Sequence, residues 1–571
     1  MIRPRVWAPA AEHVDLVRGS ENGPAFPLRP TGDGWWVGDM DLAHGQRYSF
    51  SLDGGPPRPD PRSSWQPDGV HAASAAYDHT LFPWRDNRWR GRELRGAVLY
   101  ELHVGTFTPA GTLDAAAARL EHLQELGADF VELMPLAAFD GDRGWGYDGV
   151  DLWAVHERYG GPDALKRFVD AAHRRGLGVL LDVVHNHLGP AGEYLHEFGP
   201  YFAAEETPWG PAVNLDGPGS DEVRAFLCEN ALSWLRDFHL DGLRLDAIHA
   251  FRDERATPYL EELSAAVDRL ADETGRPLLL VAESDRNDPA TVTRRTLGGL
   301  GLHAQWSDDI HHALHVALTG EREGYYADFA DPGALTKVFA GAFFHDGTWS
   351  SFRGRSHGRP VPRSGPRALE PWRFVASLQT HDQVGNRAAG ERLGALVDVG
   401  ALAAGAALLL LGPFTPMLFM GEEWGASTPW CFFSSFSDPA LARRVREGRR
   451  REFPGWPAKD VPDPQDPRTY LASILDWQEA AEEEHARLLR WYADLVTIRR
   501  SLPGVVSDAW DAEVERERAV VVMRRPTVTV VANLGRGPTP MPEVPGTVLL
   551  RWPADVPSSD WLMGGEVLVL G

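Results

Sequence analysis

Gly242-Leu-Arg-Leu-Asp246 is an apolar run of strand length with a carboxylate at its C-terminal end. Side chains alternate faces along a strand, so Arg244 and Asp246 share one face and Leu243 and Leu245 take the other. Three further stretches share this design. Gly178-Val-Leu-Leu-Asp-Val-Val184 runs into His185-Asn-His187, Leu278-Leu-Leu-Val-Ala ends at Glu283, and Phe374-Val-Ala-Ser-Leu378 leads to Gln379-Thr-His-Asp382. Polar groups at the C-terminal ends of successive strands are how a (β/α)8 barrel assembles a site.

Outward from these stretches the chain alternates strand and helix, which predicts parallel strands with right-handed crossovers. Ala97 to Val104 reads as the first strand and Phe130 to Met134 as the second. Leu113 to Leu126 reads as one helix, with Leu113, Ala117, Leu120 and Leu123 on one face. A second helix opens at Pro162-Asp163, and a third, Val223 to Phe238, leads into the fourth strand. Barrel elements extend to about Gly421, with helices beyond. The two ends differ. Arg5 to Ala8, Val14 to Val17, Trp35 to Val37 and Tyr48 to Leu52 are short strands between turn residues, followed by a Pro-rich connector from Gly54 to Pro67. Ala519 to Met523, Thr527 to Ala532 and Val548 to Trp552 repeat that pattern near the C-terminus. The expected fold class is α/β. A (β/α)8 TIM barrel with inserted loops and helices spans residues 93–500, between an N-terminal β-sandwich (1–92) and a small antiparallel β domain (501–571).

With 571 residues and 43% hydrophobic residues, the chain can build several domains. Its net charge of -24 opposes binding to nucleic acid or anionic membrane and favours a neutral partner. The 21 tryptophans exceed what is usual and include candidates for flat sugar-stacking faces, although most should fill cores. Two cysteines, Cys228 and Cys431, make no disulfide framework. The apolar run from Val399 to Leu411 is too short to span a bilayer, and the first residues lack an apolar signal core. A cytoplasmic protein is expected.

A guanidinium beside a carboxylate favours the anion that a nucleophile needs, and Arg244 stands two residues from Asp246. Glu283 closes an apolar run, and apolar surroundings raise a carboxyl pKa, as a general acid requires. Taken singly, each of these residues also fits an ion pair or a helix cap, as does Asp382. Neither His185-Asn-His187 nor His311-His312 belongs to a zinc-spaced set, so polar lining is the reading for His187 and His312, with His249 beside them. Gly298-Gly-Leu-Gly301 lacks the strand–turn–helix context of a dinucleotide site, and neither a phosphate-binding Gly-Lys loop nor a Gly-x-Ser-x-Gly elbow is present. No acidic loop has calcium-ligand spacing, so neither metal nor cofactor is expected.

Together, and in this order, the four stretches resemble the conserved regions of the α-amylase family of glycoside hydrolases over about Gly96 to Trp477. The resemblance implies Asp246 as nucleophile, Glu283 as acid/base and Asp382 as transition-state stabiliser. It implies that Arg244, His187 and His381 hold the sugar at the cleaved bond and that Tyr147, in Gly144-Trp-Gly-Tyr-Asp148 with Trp145, stacks against it. It also implies that the N-terminal β domain resembles a carbohydrate-binding module. Thr380 departs from the pattern, where the family has Asn. Tyr100 to Thr108, Met134 to Asp140, Ser307 to His312, Leu318 to Tyr326 and Asp382 to Arg387 are similar to one subgroup, which acts on maltooligosyltrehalose. Membership implies retaining hydrolysis of the α-1,4 bond beside a terminal α,α-trehalose unit, with trehalose and a maltooligosaccharide as products. The loops from Asp140 to Tyr147 and from Asp308 through Asp309 to His312 are the expected trehalose-selecting segments. Two alternatives follow from the same residues: an α-glucan branching enzyme, and an inactive glucan-binding protein.

Overall fold

The computed structural model describes residues 2–457, 460–556 and 559–571. Eight parallel strands close into a barrel in chain order. They are β1 (Leu99–Leu102), β2 (Phe130–Leu133), β3 (Gly178–Val183), β4 (Gly242–Leu245), β5 (Leu279–Ala282), β6 (Ala304–Trp306), β7 (Phe374–Ser377) and β8 (Thr415–Phe419). The ring closes where Met417, Leu418 and Phe419 pair with Leu99, Tyr100 and Glu101. Asp182 lies opposite Arg244 and Glu101 opposite Glu132, so charged side chains from neighbouring strands share levels.

The strands are shorter than their apolar runs suggested. The run expected as one strand to Val104 stops at Leu102, and Val104–Phe107 forms a helical turn, with the His103 ring hydrogen-bonded to the Thr106 hydroxyl at 3.0 Å. The helix expected from Leu113 to Leu126 is two helices, Leu113–Ala117 and Leu120–Leu126; Arg119, at the break, lies over Trp477 at 4.2 Å. β6 is three residues long with the polar Gln305 at its centre, and so has no apolar run to announce it. The apolar run near Val399 is the helix Val399–Leu410, buried on nearly every side. Its Gly400 meets Gly565 backbone to backbone; a Cβ there would lie 2.6 Å from the Gly565 Cα. Among the described residues no helix is long and apolar enough to cross a membrane.

Seven short strands at the N-terminus form a three-stranded and a four-stranded antiparallel sheet. The C-terminal region is a five-stranded antiparallel sheet, to which Glu513–Glu517 and Val567–Leu570 add strands absent from the sequence reading. The segment between the N-terminal sheets and β1 is anchored beneath the barrel. There Trp89 donates to Asp241 at 2.6 Å, and His173 lies between Asp86 and Asp241, 2.9 Å from each.

Candidate active site

Every sequence-selected strand end lies on the C-terminal side of the barrel. Arg244, fully buried on β4, is the hub. Its Nη1 donates to Asp246 Oδ1 and to Asp182 Oδ2, both at 2.7 Å, and its Nη2 lies 3.9 Å from Glu283 Oε2. The guanidinium also lies over the Trp306 ring at 4.4 Å. One rigid cation therefore sets the relation between the two carboxylates. Asn186 fixes the other Asp246 oxygen, donating to Oδ2 at 2.8 Å and to the main-chain oxygen at 2.9 Å.

Glu283 accepts from the Ala247 amide at 2.6 Å. Ala247 achieves this in a left-handed conformation, φ 39°, uncommon for a residue with a side chain. Such local strain persists where surrounding structure enforces it, often at functional sites. Burial pushes the Glu283 carboxyl well above its ordinary value; Arg244 opposes this and Asp246 adds to it.

A second set of hydrogen bonds runs alongside. Glu101 on β1 accepts from His381, both at its amide (3.1 Å) and at Nδ1. The other ring nitrogen lies 2.7 Å from the Tyr147 hydroxyl, which donates to Asp182 at 2.6 Å. Burial alone would lower the His381 pKa, but Glu101 and Asp382 bring it up to about 9, so the ring is an imidazolium at neutral pH. It then donates from both nitrogens. Burial raises Asp182 to about 6, against Arg244.

These groups open into a cavity of about 500 Å³ lined by Trp145, Tyr147, His187, His249, Asp246, Glu283, His381 and Asp382. Trp145 is a wall, stacked on Trp430 at 5.5 Å with its indole N–H on the Cys431 carbonyl. His187 is held on both sides of its ring, with Nε2 donating to the Tyr147 carbonyl at 3.0 Å and Nδ1 2.6 Å from the Asn186 side-chain oxygen. Asp308, Asp309 and His312 instead line a neighbouring pocket of about 40 Å³, with Asp285, Tyr325 and Arg353. Asp309 departs from the sequence expectation most. Its Oδ2 accepts from Asn287, Phe344 and His345 at 2.7–2.8 Å, which commits that oxygen to the protein interior. Asp308 is raised to about 7 by burial and by the nearby Asp382. Thr380 caps the short helix His381–Gly385, its hydroxyl accepting from the Asp382 amide.

Sequence reading did not select Glu101, Asp182 or Asn186. The first two carried a signal, a charge inside an apolar barrel strand. Trp209, half-exposed at the tip of the hairpin Phe202–Thr207 and Gly210–Val213, faces His187 with ring centroids 5.6 Å apart and carried none. Among the described residues no group of three or more His, Cys, Asp or Glu side chains is placed to hold a metal ion.

Carboxylates gathered around one arginine at the C-terminal mouth of an eight-stranded barrel fit a glycosidase of the α-amylase class, and the α-amylase catalytic-domain family model matches residues 74–209. A Salmonella typhimurium protein described as an alpha amylase has a crystal structure that superposes with a TM-score of 0.91 at 38% identity, covering 100% of this chain and 97% of that one. Within the class, the malto-oligosyltrehalose trehalohydrolase of Arthrobacter ramosus is 55% identical over 553 residues, 95% of each chain. Its counterpart from Mycobacterium tuberculosis strain H37Rv is 50% identical over 97% of this chain and 96% of that one. The chain belongs to the malto-oligosyltrehalose trehalohydrolase family.

Proposed function

We propose that this enzyme hydrolyses the α-1,4 bond beside the terminal α,α-trehalose unit of maltooligosyltrehalose, releasing trehalose and a shortened maltooligosaccharide. Asp246 is the nucleophile, Glu283 the acid/base and Asp382 the stabiliser. Glu283 gives its proton to the leaving oxygen as an Asp246 oxygen bonds to the anomeric carbon and the glycosidic C–O bond breaks. Water then attacks the same carbon, Glu283 takes its proton, and the Asp246 ester bond breaks, so the anomeric configuration is retained. The observation that carries this reading is the shared guanidinium, Arg244, bonded to Asp246 at 2.7 Å and 3.9 Å from Glu283, a carboxyl whose pKa burial pushes upward. Arg244 and Asn186 between them orient both Asp246 oxygens, leaving little reorganisation for the reaction step.

Tyr147, Trp145, His187, His249 and His381 supply aromatic faces and hydrogen bonds for the sugar at the cleaved bond. Asp308 and His312 line the smaller neighbouring pocket, and we assign them to selecting the bent 1,1-linked end. Polar groups left unpaired by a linear maltose end would reject it. The buried free thiols of Cys228 and Cys431 suit a reducing cytoplasm.

Product analysis on maltopentaose carrying a terminal trehalose, beside plain maltoheptaose, tests the assignment. Release of free trehalose from the first with slow attack on the second is expected. Equal cleavage of both would make the enzyme a general amylase, and chain transfer without net hydrolysis would make it a branching enzyme.

A further inference from the structure

We propose that Arg449 is a positioning residue for Asp382, locking the C-terminal end of the short helix that carries it. The proposal rests on the reading of Asp382 as a working carboxylate. The other two carboxylates are held directly, Asp246 by Arg244 and Asn186, Glu283 by the Ala247 amide. Asp382 is different. Its side chain is 43% exposed, and among the described residues none hydrogen-bonds to its carboxylate; the His381 ring approaches to 3.6 Å. Its position is therefore set by the backbone beneath it, the helix His381–Gly385.

One turn of helix is not stable alone, and its terminal carbonyls have no partners within it. The N-terminal end is secured by the Thr380 hydroxyl, by Glu101 on the His381 amide and by the Trp430 indole donating to the His381 carbonyl at 3.1 Å. The C-terminal end is secured by Arg449. Its Nη2 donates to the Gly385 carbonyl at 2.7 Å and to the Arg387 carbonyl at 2.8 Å. A cation there also matches the negative end of the helix. Arg449 comes from Pro439–Glu452, beyond the barrel, is 7% exposed, and together with Glu452 also lines the edge of the active-site cavity. It is braced by Phe453 at 4.7 Å, by Phe432 at 5.7 Å and by Glu452 at 2.9 Å. Gly385 also has no slack against Trp145, since a Cβ there would lie 2.1 Å from its ring. Guanidinium and indole both bear on the last turn, and releasing the guanidinium lets Asp382 drift.

The test is steady-state kinetics of the full-length Arg449→Ala and Arg449→Lys enzymes on trehalose-capped maltopentaose, with thermal unfolding alongside. Arg449→Ala should lose about 10- to 100-fold in kcat, as a misplaced catalytic group does, with KM changed by less than about twofold. Arg449→Lys should recover part of the loss, and methylguanidinium added to Arg449→Ala should raise kcat at constant KM. A raised KM with intact kcat would overturn the proposal, since Arg449 would then be a sugar contact. So would a loss that follows the unfolded fraction and resists methylguanidinium. Wild-type kcat in Asp382→Asn would overturn the reading of Asp382 itself, a failure separable from either of those.

Discussion

Asn186 and His185 are neighbours with opposite duties. His185 is buried between Tyr259 and Asn230 and supports the fold, its ring lowered to about 4 by burial. Asn186 turns to the site and gives two hydrogen bonds to Asp246. A hydrogen bond to a charged group is worth about 1.5–3 kcal/mol. Asn186→Ala should therefore lower kcat by about 10- to 100-fold with the fold unchanged. Kinetics beside circular dichroism would check this, and a variant with wild-type kcat would show that Arg244 orients Asp246 unaided. The same scale explains Thr380. What its side chain supplies is a helix cap, which threonine makes nearly as well as asparagine.

The helical turn Glu422–Trp424, just past β8, carries a carboxyl with an unusual burden. Glu422 is 3% exposed, with the Phe419 amide and the Tyr492 hydroxyl as partners at 3.4 and 3.3 Å. Burial raises its pKa to about 8, with Glu423 adding to the effect. An acid raised on folding contributes stability that is full below its unfolded value, near 4.5, and is lost as pH rises toward 8. Glu422→Gln keeps the shape and removes the ionisation. The variant should gain on the wild type as pH rises from 5 to 8 and hold a constant lead above that, on the order of a few kcal/mol. Melting curves across that range would show it; a pH-independent difference would refute it.

At the scale of the molecule, the barrel is tied to the segment that precedes it by a buried charge cluster on the face away from the site. Asp86 accepts from His173 and His239 at 2.9 Å each, and Asp241 accepts from His173, Trp89 and the Val179 amide. Burial would lower the His173 pKa, but Asp241 and Asp86 raise it overall, so its contribution is full below its unfolded value and fades as pH rises. Removing one partner of a buried pair costs about 3–5 kcal/mol, because the other charge is stranded. Asp86→Ala should loosen the connector first. Limited proteolysis should then cut between the N-terminal sheets and β1 faster than in the wild type, with the barrel intact. Equal cleavage rates would place the anchor elsewhere, in the aromatic stack of Trp84 on His239.

Much of this was legible in the linear chain. An apolar run ending in a carboxylate specifies a buried strand with a polar C-terminal end whatever lies around it, so β3, β4, β5 and β7 and the groups after them could be read locally. Glu101 and Asp182 were visible as charges within such runs, but their partners, His381 and Tyr147, come from other strands and loops. β6 and Trp209 left no periodic signal, one being too short and the other on a polar hairpin. Asp309 could not be told from Asp308, because only packing decides that Asn287 and the amides of Phe344 and His345 engage one of two consecutive carboxylates at a helix start. The barrel strands and the flanking β regions were readable in the linear chain, because backbone periodicity and burial act over a few neighbouring residues, whereas the roles assigned to Asp246, Glu283 and Asp382 rest on resemblance to a family. Only the tertiary structure decided which cation spans Asp246 and Glu283, which oxygen Asn186 holds and how Arg449 reaches the helix of Asp382, because hydrogen bonds between distant segments depend on the closed ring that brings them together.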